Sequence, residues 1–386
     1  MRSRKLIEEL VAFNTTSHLS NLELIRFIET YLDEYGVTSE LIYNADKTKA
    51  NLFATMGNPE QPGILLSGHT DVVPADGRDW STDPFRVQEN DGRLFGRGCA
   101  DMKSFIAIVL SFIPDISKLD LKFPLHLSFS YDEETGCIGV RTLVDKLKYF
   151  SILPRFCIVG EPTGMRVING HKGKAAFHVS VDGQECHSAM AVTDGVNAVE
   201  YAAELIVFIQ SLQRKIAENG PFNPDYDIAY TTLNTGPISG GRALNIVPDH
   251  CEFEFEIRNI PDDDPQIYLD KITNFAATAL KPLMRKTHKN TDIKFVETAS
   301  YPGLFTHPDS EVVAFVKSLV AESDTGKINF GSEGGLFHNI HIPTVICGPG
   351  SINQAHKPDE FITFEQILRC EKFMENLISY MVTTNC

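Results

Sequence analysis

Five short motifs place histidine and carboxylate side chains just after apolar or glycine-rich runs of the sequence. In chain order they are Gly68-His69-Thr70-Asp71, Asp101-Met102-Lys103, Asp132-Glu133-Glu134, Glu161-Pro162-Thr163 and His356-Lys357-Pro358-Asp359-Glu360. In an open α/β sheet, ligands bind in the crevice outside the carboxyl ends of the strands. Five such motifs in equivalent positions therefore predict one shared site at that edge of a sheet.

The donor atoms of these motifs are imidazole nitrogens and carboxylate oxygens, without thiolates, which suits Zn²⁺, Co²⁺ or Mn²⁺. Two His, one Asp and two Glu exceed the needs of one tetrahedral ion, but they suit two ions roughly 3.5–4 Å apart. Adjacent Glu133 and Glu134 can divide the roles of base and ligand, since successive side chains on extended backbone point opposite ways. Asp71, two residues after His69, is predicted to accept the second imidazole N–H.

Signatures of other chemistries are missing from the sequence. There is no Gly-x-Ser-x-Gly elbow and no GxxxxGK[ST] phosphate loop. Gly96-Arg97-Gly98 begins a dinucleotide-type pattern, but Asp101 stands where its third glycine belongs. We therefore expect no nucleotide site.

The first and last parts of the chain have the pattern of an α/β layer. Short apolar runs bounded by turn residues indicate buried strands of a largely parallel sheet, and segments of helical periodicity lie between them. The predicted strands are Gly63–Ser67, Leu125–Tyr131, Phe156–Val159 and Thr344–Cys347. The predicted helices include Asn21–Tyr35, Met102–Ile113, Thr135–Lys148, Glu311–Ala321 and Phe364–Tyr380.

The middle of the chain differs, because Ala175–Val181 and Cys251–Ile257 alternate between apolar and polar residues. That period is typical of strands with one face in water. Together with the helical patterns at Asn197–Arg214 and Pro265–Leu280, it predicts a β-α-β-β-α-β unit of ferredoxin-like α+β type. The predicted organisation is a catalytic domain of residues 1–173 plus 291–386, interrupted by a lid and dimerisation domain of residues 174–290.

Composition limits the partners and the location. The formal net charge of −16 argues against nucleic acid and against an anionic membrane surface. No run approaches the roughly 20 apolar residues of a membrane helix, and the N-terminus lacks the features of a signal peptide. The eight cysteines form no CxxC, which favours structural thiols in a reducing compartment. We expect a cytoplasmic protein.

Taken together, the motifs resemble those of the M20 family of dinuclear metallo-amidohydrolases, over nearly the whole chain. The residues that carry the resemblance are the five motifs above and His187-Ser188-Ala189. The resemblance implies a zinc-peptidase-like catalytic domain, two Zn²⁺ per subunit with Co²⁺ as an alternative, and a homodimer. Two departures from the family pattern, Cys99 and Ser104, leave every ligand in place.

The resemblance also implies a role for each site residue. His69 and Glu161 would hold one metal, Glu134 and His356 the other, and Asp101 would bridge them. Glu133 would take a proton from the metal-bridging water and return it to the leaving amine. His187 would reach the partner subunit's site and steady the oxyanion. Asn245 and Arg258 resemble lid residues that grip a substrate carboxylate, for which a planar guanidinium is suited.

The expected substrate is a small N-acyl amino acid. The run Gly348–Glu360 and His171-Lys172-Gly173 favour, by resemblance, hydrolysis of N-acetyl-L-ornithine to L-ornithine and acetate in arginine biosynthesis. Glu333, in a glycine-rich loop, is a candidate to receive the side-chain ammonium of such a substrate, although a solvated turn residue is an equal alternative. Other amidases of the family, such as succinyl-diaminopimelate desuccinylase, an aminoacylase or a dipeptidase, remain open. So does a non-catalytic metal-binding scaffold.

Overall fold

The computed structural model describes residues 1–76, 79–321 and 323–383. The chain divides into two compact units. The first contains Met1–His171, Leu304–Ile328 and the residues from Ser332 onwards, and the second contains Lys172–Gly303 with Asn329–Gly331. Within the described residues, no helix combines the length and the apolarity needed to cross a membrane.

The first unit opens with an α/β series. Its helices are α1 (Arg4–Ala12), α2 (Leu22–Glu34), α3 (Lys103–Ile116) and α4 (Val140–Leu147). Its strands are β1 (Ser39–Tyr43), β2 (Ala50–Met56), β3 (Ile64–His69), β4 (Gln88–Asn90), β5 (Arg93–Phe95), β6 (Leu125–Ser130), β7 (Phe156–Pro162) and β8 (Val167–His171). Helix α4 begins five residues later than the predicted Thr135, because residues 132–137 form a hydrogen-bonded turn in which Cys137 has a positive φ of 55°.

The second unit has the predicted β-α-β-β-α-β order. Its strands are β9 (Lys174–Asp182), β10 (Thr232–Gly240), β11 (His250–Arg258) and β12 (Asp292–Tyr301). Its helices are α5 (Ala191–Asp194), α6 (Ala198–Asn219), α7 (Pro265–Phe275) and α8 (Lys281–Thr287), with a 3₁₀ turn at Ser188–Met190 and a π-helical turn at Ala276–Leu280. The strands form an antiparallel sheet in the order β10-β11-β9-β12. Alternate residues of β9, from Ala175 to Val181, are buried, which confirms the period-two pattern.

The chain then returns to the first unit. This part contains β13 (Leu304–Phe305), α9 (Glu311–Val320), β14 (Thr325–Ile328), α10 (Gly334–Asn339), β15 (Thr344–Gly348), β16 (Phe361–Thr363) and α11 (Phe364–Thr383). The main sheet runs β1-β2-β6-β3-β7-β15-β8-β13, with β14 paired to β8, and β16, β5 and β4 form a small separate sheet. The pairs from β6 through β3 and β7 to β15 are parallel. The expected fold class, a mostly parallel sheet with an inserted α+β unit, is confirmed.

The limits of the second unit differ from the predicted 174–290. Strand β12 pairs antiparallel with β9, for example Ile293 with Val181, so the unit extends through Gly303. Ile293 is the one buried residue of β12. The strand therefore lacks the clear alternation that identified β9 and β11, and the sequence pattern did not place it in this sheet.

The backbones of β7 and β15 pack closely at the edge of the sheet where the motifs lie. A Cβ atom at Gly348 would lie 1.9 Å from the carbonyl oxygen of Gly160. Neither backbone can retreat within a paired sheet, so Gly348→Ala should lower the free energy of unfolding by about 3 kcal/mol. In the control Gly236→Ala, the nearest heavy atom lies 3.8 Å from the new Cβ. Thermal unfolding of both variants measures the difference, and equal midpoints would contradict the packing argument.

Candidate metal centre

The first unit brings all five predicted metal ligands to one end of its parallel strands. His69 is the last residue of β3, and Glu161 lies near the end of β7. Glu134 follows β6, Asp101 lies just before α3, and His356 lies in the loop between β15 and β16. Strands β3, β6 and β7 are parallel neighbours, so their carboxyl ends meet at the same edge.

Asp101 lies between the two histidines. Its Oδ1 is 3.0 Å from Nε2 of His69, and its Oδ2 is 3.3 Å from Nε2 of His356. Nε2 of His356 also lies 3.1 Å from the Glu134 carboxylate, and Nε2 of His69 lies 3.8 Å from Oε1 of Glu161. One carboxylate thus faces two imidazoles, and each imidazole has a further carboxylate beside it.

Among the residues that the structure describes, two groups of three have ligand atoms that all lie within 4.8 Å of one another. They are His69, Glu133 and Glu161, and His69, Asp101 and Glu134. The donor set of nitrogen and oxygen atoms fits a borderline divalent cation. Glu133 lies close enough to be a ligand as well as a base, so geometry alone leaves both roles open for it.

Asp71 acts differently from the sequence expectation. Nδ1 of His69 lies 2.8 Å from the backbone oxygen of Asp71 but 3.6 Å from its carboxylate. The carboxylate instead accepts hydrogen bonds from the Ser17 hydroxyl and from the backbone N–H groups of Glu133 and Glu134. The backbone of Asp71 thus orients His69 so that Nε2 points to the other predicted ligands, and the Asp71 side chain accepts hydrogen bonds from the Glu133-Glu134 turn.

Burial and crowding of charge change the acidity of the cluster. Burial raises the pKa of Glu133 to about 8, and the neighbouring Glu134 carboxylate adds to this effect while His69 opposes it. Hydrogen bonds to Asp101 and Glu134 raise the pKa of His356 to about 10. Burial opposes ionisation of Asp101, but the two imidazoles prevail and lower its pKa. The cluster therefore holds protons at neutral pH that a divalent cation would displace.

Metal binding to the chelator-treated protein should therefore release protons at pH 7. A liganding imidazole must be neutral, and the pKa of His356 lies well above 7, so its proton leaves and metal affinity rises with pH. Calorimetric titration with Zn²⁺ in two buffers of different ionisation enthalpy measures the number of protons released. The variant His356→Ala should release fewer. Equal binding enthalpies in the two buffers would contradict this prediction.

Two side chains near the site had no role assigned from sequence. Oε1 of Glu360 accepts hydrogen bonds from the backbone N–H groups of Gly98, Ala100 and Asp101, and its Oε2 forms a buried ion pair with Arg97. Cys137 donates its S–H to Oε1 of Glu133 at 3.3 Å. Glu360 belongs to the His356–Glu360 motif, but the sequence does not indicate its role. Its partners are backbone N–H groups more than 250 residues away, and every residue except proline carries such a group.

Glu333 does not have the exposed position expected of a substrate-binding carboxylate. It is completely buried, and its two oxygens accept hydrogen bonds from the hydroxyl groups of Ser67 and Ser130. The structure contradicts the predicted role of Glu333 as receptor for a substrate ammonium group. A buried carboxylate whose oxygens already accept hydrogen bonds is not accessible to a substrate. The position of Glu333 in a glycine-rich stretch suggested an accessible side chain, but tertiary packing buries it.

Exchange of Glu333 for glutamine should leave substrate preference unchanged. Gln preserves the shape of the side chain, and its carbonyl oxygen can still accept a hydrogen bond from one serine. The measurement is the ratio of kcat/KM for N-acetylornithine to kcat/KM for a neutral N-acetyl amino acid. A fall of this ratio in Glu333→Gln would restore the original hypothesis.

The three predicted lid residues, His187, Asn245 and Arg258, lie at two different positions in the second unit. His187 is exposed and forms a β-bridge with Ile246, and the N–H of Ser188 donates to the backbone oxygen of Asn245. His187 and Asn245 are therefore neighbours near the start of β11. Arg258 is the last residue of β11, roughly 26 Å from the first at ~3.3 Å per residue. Its guanidinium donates to the Tyr301 hydroxyl at 2.7 Å.

Comparison with known proteins agrees with this geometry. The model of peptidase family M20/M25/M40 matches residues 65–380. The chain is 35% identical over 347 residues to acetylornithine deacetylase of Aliivibrio fischeri, covering 90% of this chain and 88% of the relative. It is 33% identical over 365 residues to acetylornithine deacetylase of Pasteurella multocida, covering 94% and 92%.

Solved structures share the fold. An M20 family metallo-carboxypeptidase from Sulfolobus solfataricus superposes with a TM-score of 0.76 at 18% identity, with 99% of both chains covered. A dinuclear metal-binding peptidase of the M20 family from Bacillus subtilis superposes with a TM-score of 0.66 at 14% identity, again over 99% of both chains. The family match over most of the chain and the similarity to curated relatives establish that this chain belongs to peptidase family M20/M25/M40.

Proposed function

We propose that the protein hydrolyses N-acetyl-L-ornithine to L-ornithine and acetate, a step of arginine biosynthesis, with two bound metal ions. Relatives that are 33–36% identical over about nine-tenths of the chain carry the name acetylornithine deacetylase. The observation that carries the proposal is the position of Asp101, whose two carboxylate oxygens face different histidines.

In this proposal, His69 and Glu161 would hold one ion, Glu134 and His356 would hold the other, and Asp101 would be a ligand shared by both. The ions would be Zn²⁺, two per subunit, with Co²⁺ as an alternative, in keeping with the nitrogen and oxygen donors. When bound, such ions lower the pKa of water and polarise an acyl carbonyl group. The Asp71 carboxylate, through the amides of Glu133 and Glu134, keeps a base and a ligand side by side.

Glu133 is the general base. It takes a proton from the attacking water as the tetrahedral centre forms, and it returns the proton to the nitrogen of ornithine as the amide C–N bond breaks. The thiol of Cys137 donates to Oε1 of Glu133 and thereby restricts the orientation of the carboxylate. Because burial already favours the protonated form, Glu133 can hold the proton between the two steps.

The substrate contacts come from two subunits. Within one chain, His187 and Asn245 lie near one end of β11 and Arg258 at its other end, too far apart for all three to contact one small substrate. We infer a homodimer in which Arg258 binds the substrate carboxylate, while His187 and Asn245 of a second copy complete the site. His187 then stabilises the developing oxyanion, as a single well-placed donor can by about 3 kcal/mol.

Mixing two inactive variants tests this arrangement. After subunits of Glu133→Gln and His187→Ala are exchanged at equal concentrations, activity should rise to about a quarter of the wild-type value. About half of the dimers are then mixed, and each mixed dimer has one complete site. Each variant incubated alone is the control. If the mixture stays inactive although native mass spectrometry shows mixed dimers, His187 acts within its own chain.

The proposed setting is a cytoplasmic enzyme that acts on a small molecule and requires neither nucleic acid nor membrane as a partner. The test is a substrate panel with Zn²⁺- or Co²⁺-loaded enzyme: N-acetyl-ornithine, N-succinyl-diaminopimelate, N-acetyl-methionine and a dipeptide. We expect the highest kcat/KM for N-acetyl-ornithine. A higher value for another compound would transfer the protein to a sister activity, and hydrolysis of none would favour a non-catalytic metal-binding protein.

A further inference from the structure

The small sheet of the first unit joins two segments that carry predicted metal ligands. They are the Asp101 segment, residues 96–101 after β5, and the His356 loop, residues 349–360 before β16. Strand β16 pairs antiparallel with β5. One step beyond the paired strands, the N–H of Gly96 donates to the backbone oxygen of Glu360 at 2.8 Å. The pairing thus fixes the start of one segment against the end of the other.

The Glu360 side chain adds a second link between these segments. Its Oε1 accepts hydrogen bonds from the backbone N–H groups of Gly98, Ala100 and Asp101, at 3.0, 2.8 and 3.1 Å. Its Oε2 lies 2.6 Å from Nη1 of Arg97, and both of these side chains are only 1% exposed. All four partners belong to the Asp101 segment, whereas Glu360 is the last residue of the His356 loop.

These contacts leave the Glu360 carboxylate no free position for a metal ion or a substrate. An ionised carboxylate offers about four acceptor positions, and three N–H groups and one guanidinium group occupy them. The Arg97 guanidinium also compensates the buried negative charge. A ligand or a water molecule could reach Glu360 only by displacing these donors. The side chain therefore acts on the metal centre through the backbone that it holds.

Asp101 is the residue at which this support reaches the centre. Its N–H donates to Glu360, and its two carboxylate oxygens lie 3.0 Å from Nε2 of His69 and 3.3 Å from Nε2 of His356. A ligand shared by two ions must contact both at once, so a small displacement of its backbone changes both contacts. His356 lies four residues before Glu360, so the same side chain also holds the end of the loop that carries a second ligand.

We propose that Glu360 is a positioning residue of the metal centre, which holds the Asp101 segment against the end of the His356 loop. The inference rests on the proposed function only in taking Asp101 and His356 as metal ligands, and it does not depend on the substrate. Removal of a residue that orients a ligand without touching the metal typically costs about 10- to 100-fold in metal affinity. Loss of Glu360 should therefore weaken metal binding.

Glu360→Gln tests this role in a Co²⁺ titration of the chelator-treated protein. An amide presents one oxygen and one NH₂ group, so in either orientation a donor faces Arg97 or the three backbone N–H groups. We expect the affinity for Co²⁺ to fall about tenfold or more. The visible absorption of bound Co²⁺, which reports its coordination geometry, should differ from that of the wild type at saturation, because Asp101 is displaced.

The matched control is Glu371→Gln in α11. Glu371 is also buried in the first unit, and its Oε1 accepts hydrogen bonds from the backbone N–H and the hydroxyl of Ser3. This variant loses a buried, hydrogen-bonded carboxylate outside the five motifs, so its Co²⁺ affinity and spectrum should equal those of the wild type even where its melting temperature falls. An equal loss of affinity in both variants would show general destabilisation and overturn the inference. Wild-type affinity and spectrum in Glu360→Gln would overturn it as well.

A second measurement uses the wild type and does not depend on the folding of a variant. Groups of the protein alone make the contacts of Glu360, so the amides of Gly98, Ala100 and Asp101 should exchange slowly with deuterium before metal is added. Mass spectrometry of the peptide that contains them, with and without Zn²⁺, gives the rates. Rapid exchange that slows only when Zn²⁺ binds would show that the metal orders this segment, and the positioning role would be wrong.

The metal titration and the substrate panel separate this inference from the proposed reaction. A wild type that hydrolyses no compound of the panel, but binds Co²⁺ about tenfold more tightly than Glu360→Gln, would overturn the reaction and support the positioning role. Hydrolysis of N-acetyl-ornithine by the wild type, with equal Co²⁺ affinity in Glu360→Gln, would overturn the positioning role alone. A wild type that binds no Co²⁺ would overturn both.

Discussion

Replacing Glu133 with glutamine should lower kcat by about 10³-fold while both metal ions remain bound. Gln keeps the volume of the side chain and can still accept the Cys137 hydrogen bond, but it cannot take a proton from water. Loss of a positioned base typically costs 10²- to 10⁴-fold in rate. Steady-state kinetics on N-acetyl-ornithine, together with metal content measured by mass spectrometry, provides the test.

Metal content decides between the two roles that geometry allows for Glu133. Its carboxylate lies in a group with His69 and Glu161 that could itself hold an ion. If Glu133→Gln loses one of two metals along with its activity, Glu133 is a ligand and the assignment as base is wrong. Asp132→Asn is a neighbouring control, since Asp132 contacts Lys49 and Asn tolerates its positive φ of 53°. This variant should retain both metals and most of the activity.

Asp101→Asn should reduce the metal content below two ions per subunit and kcat/KM by about 10³-fold or more. The substitution removes the negative charge that lies between Nε2 of His69 and Nε2 of His356, and an amide presents one oxygen and one nitrogen instead of two oxygens. Loss of a metal that contributes several kcal/mol to the transition state corresponds to about 10³-fold in rate.

The control for this variant is Asp115→Asn, which removes the same charge from an exposed ion pair with Arg2. Surface pairs of this kind contribute about 0–1 kcal/mol, so stability, metal content and activity should all stay close to wild type. Full occupancy by two metals in Asp101→Asn would exclude the bridging role. Activity that returns on addition of excess Zn²⁺ would instead show that the loss lies in affinity, which agrees with that role.

Local pattern predicted much of the first unit and of its site. The apolar runs that became β3, β6, β7 and β15 are buried at every position. The ligand-type residues follow these runs, and the carboxyl ends of parallel strands meet at one edge, so His69, Asp101, Glu134, Glu161 and His356 could be expected to converge. The limits of the inserted unit were less accurate, because β12 has a single buried residue and owes its place to pairing with β9.

By itself, the sequence determined the fold class, the family and the set of residues that converge on the candidate metal centre. These depend on periodicity, on strand ends and on motifs, all of which are local. Only the tertiary structure decided what the side chains around the centre contact. The Asp71 carboxylate accepts hydrogen bonds from the backbone N–H groups of Glu133 and Glu134. The buried Glu333 carboxylate accepts hydrogen bonds from two serine hydroxyl groups, and Glu360 accepts hydrogen bonds from three backbone N–H groups. Such contacts join residues from about 60 to more than 250 positions apart, and their partners are often backbone atoms that every residue carries. These hydrogen bonds therefore depend on how the chain packs, and the residue types in the sequence do not predict them.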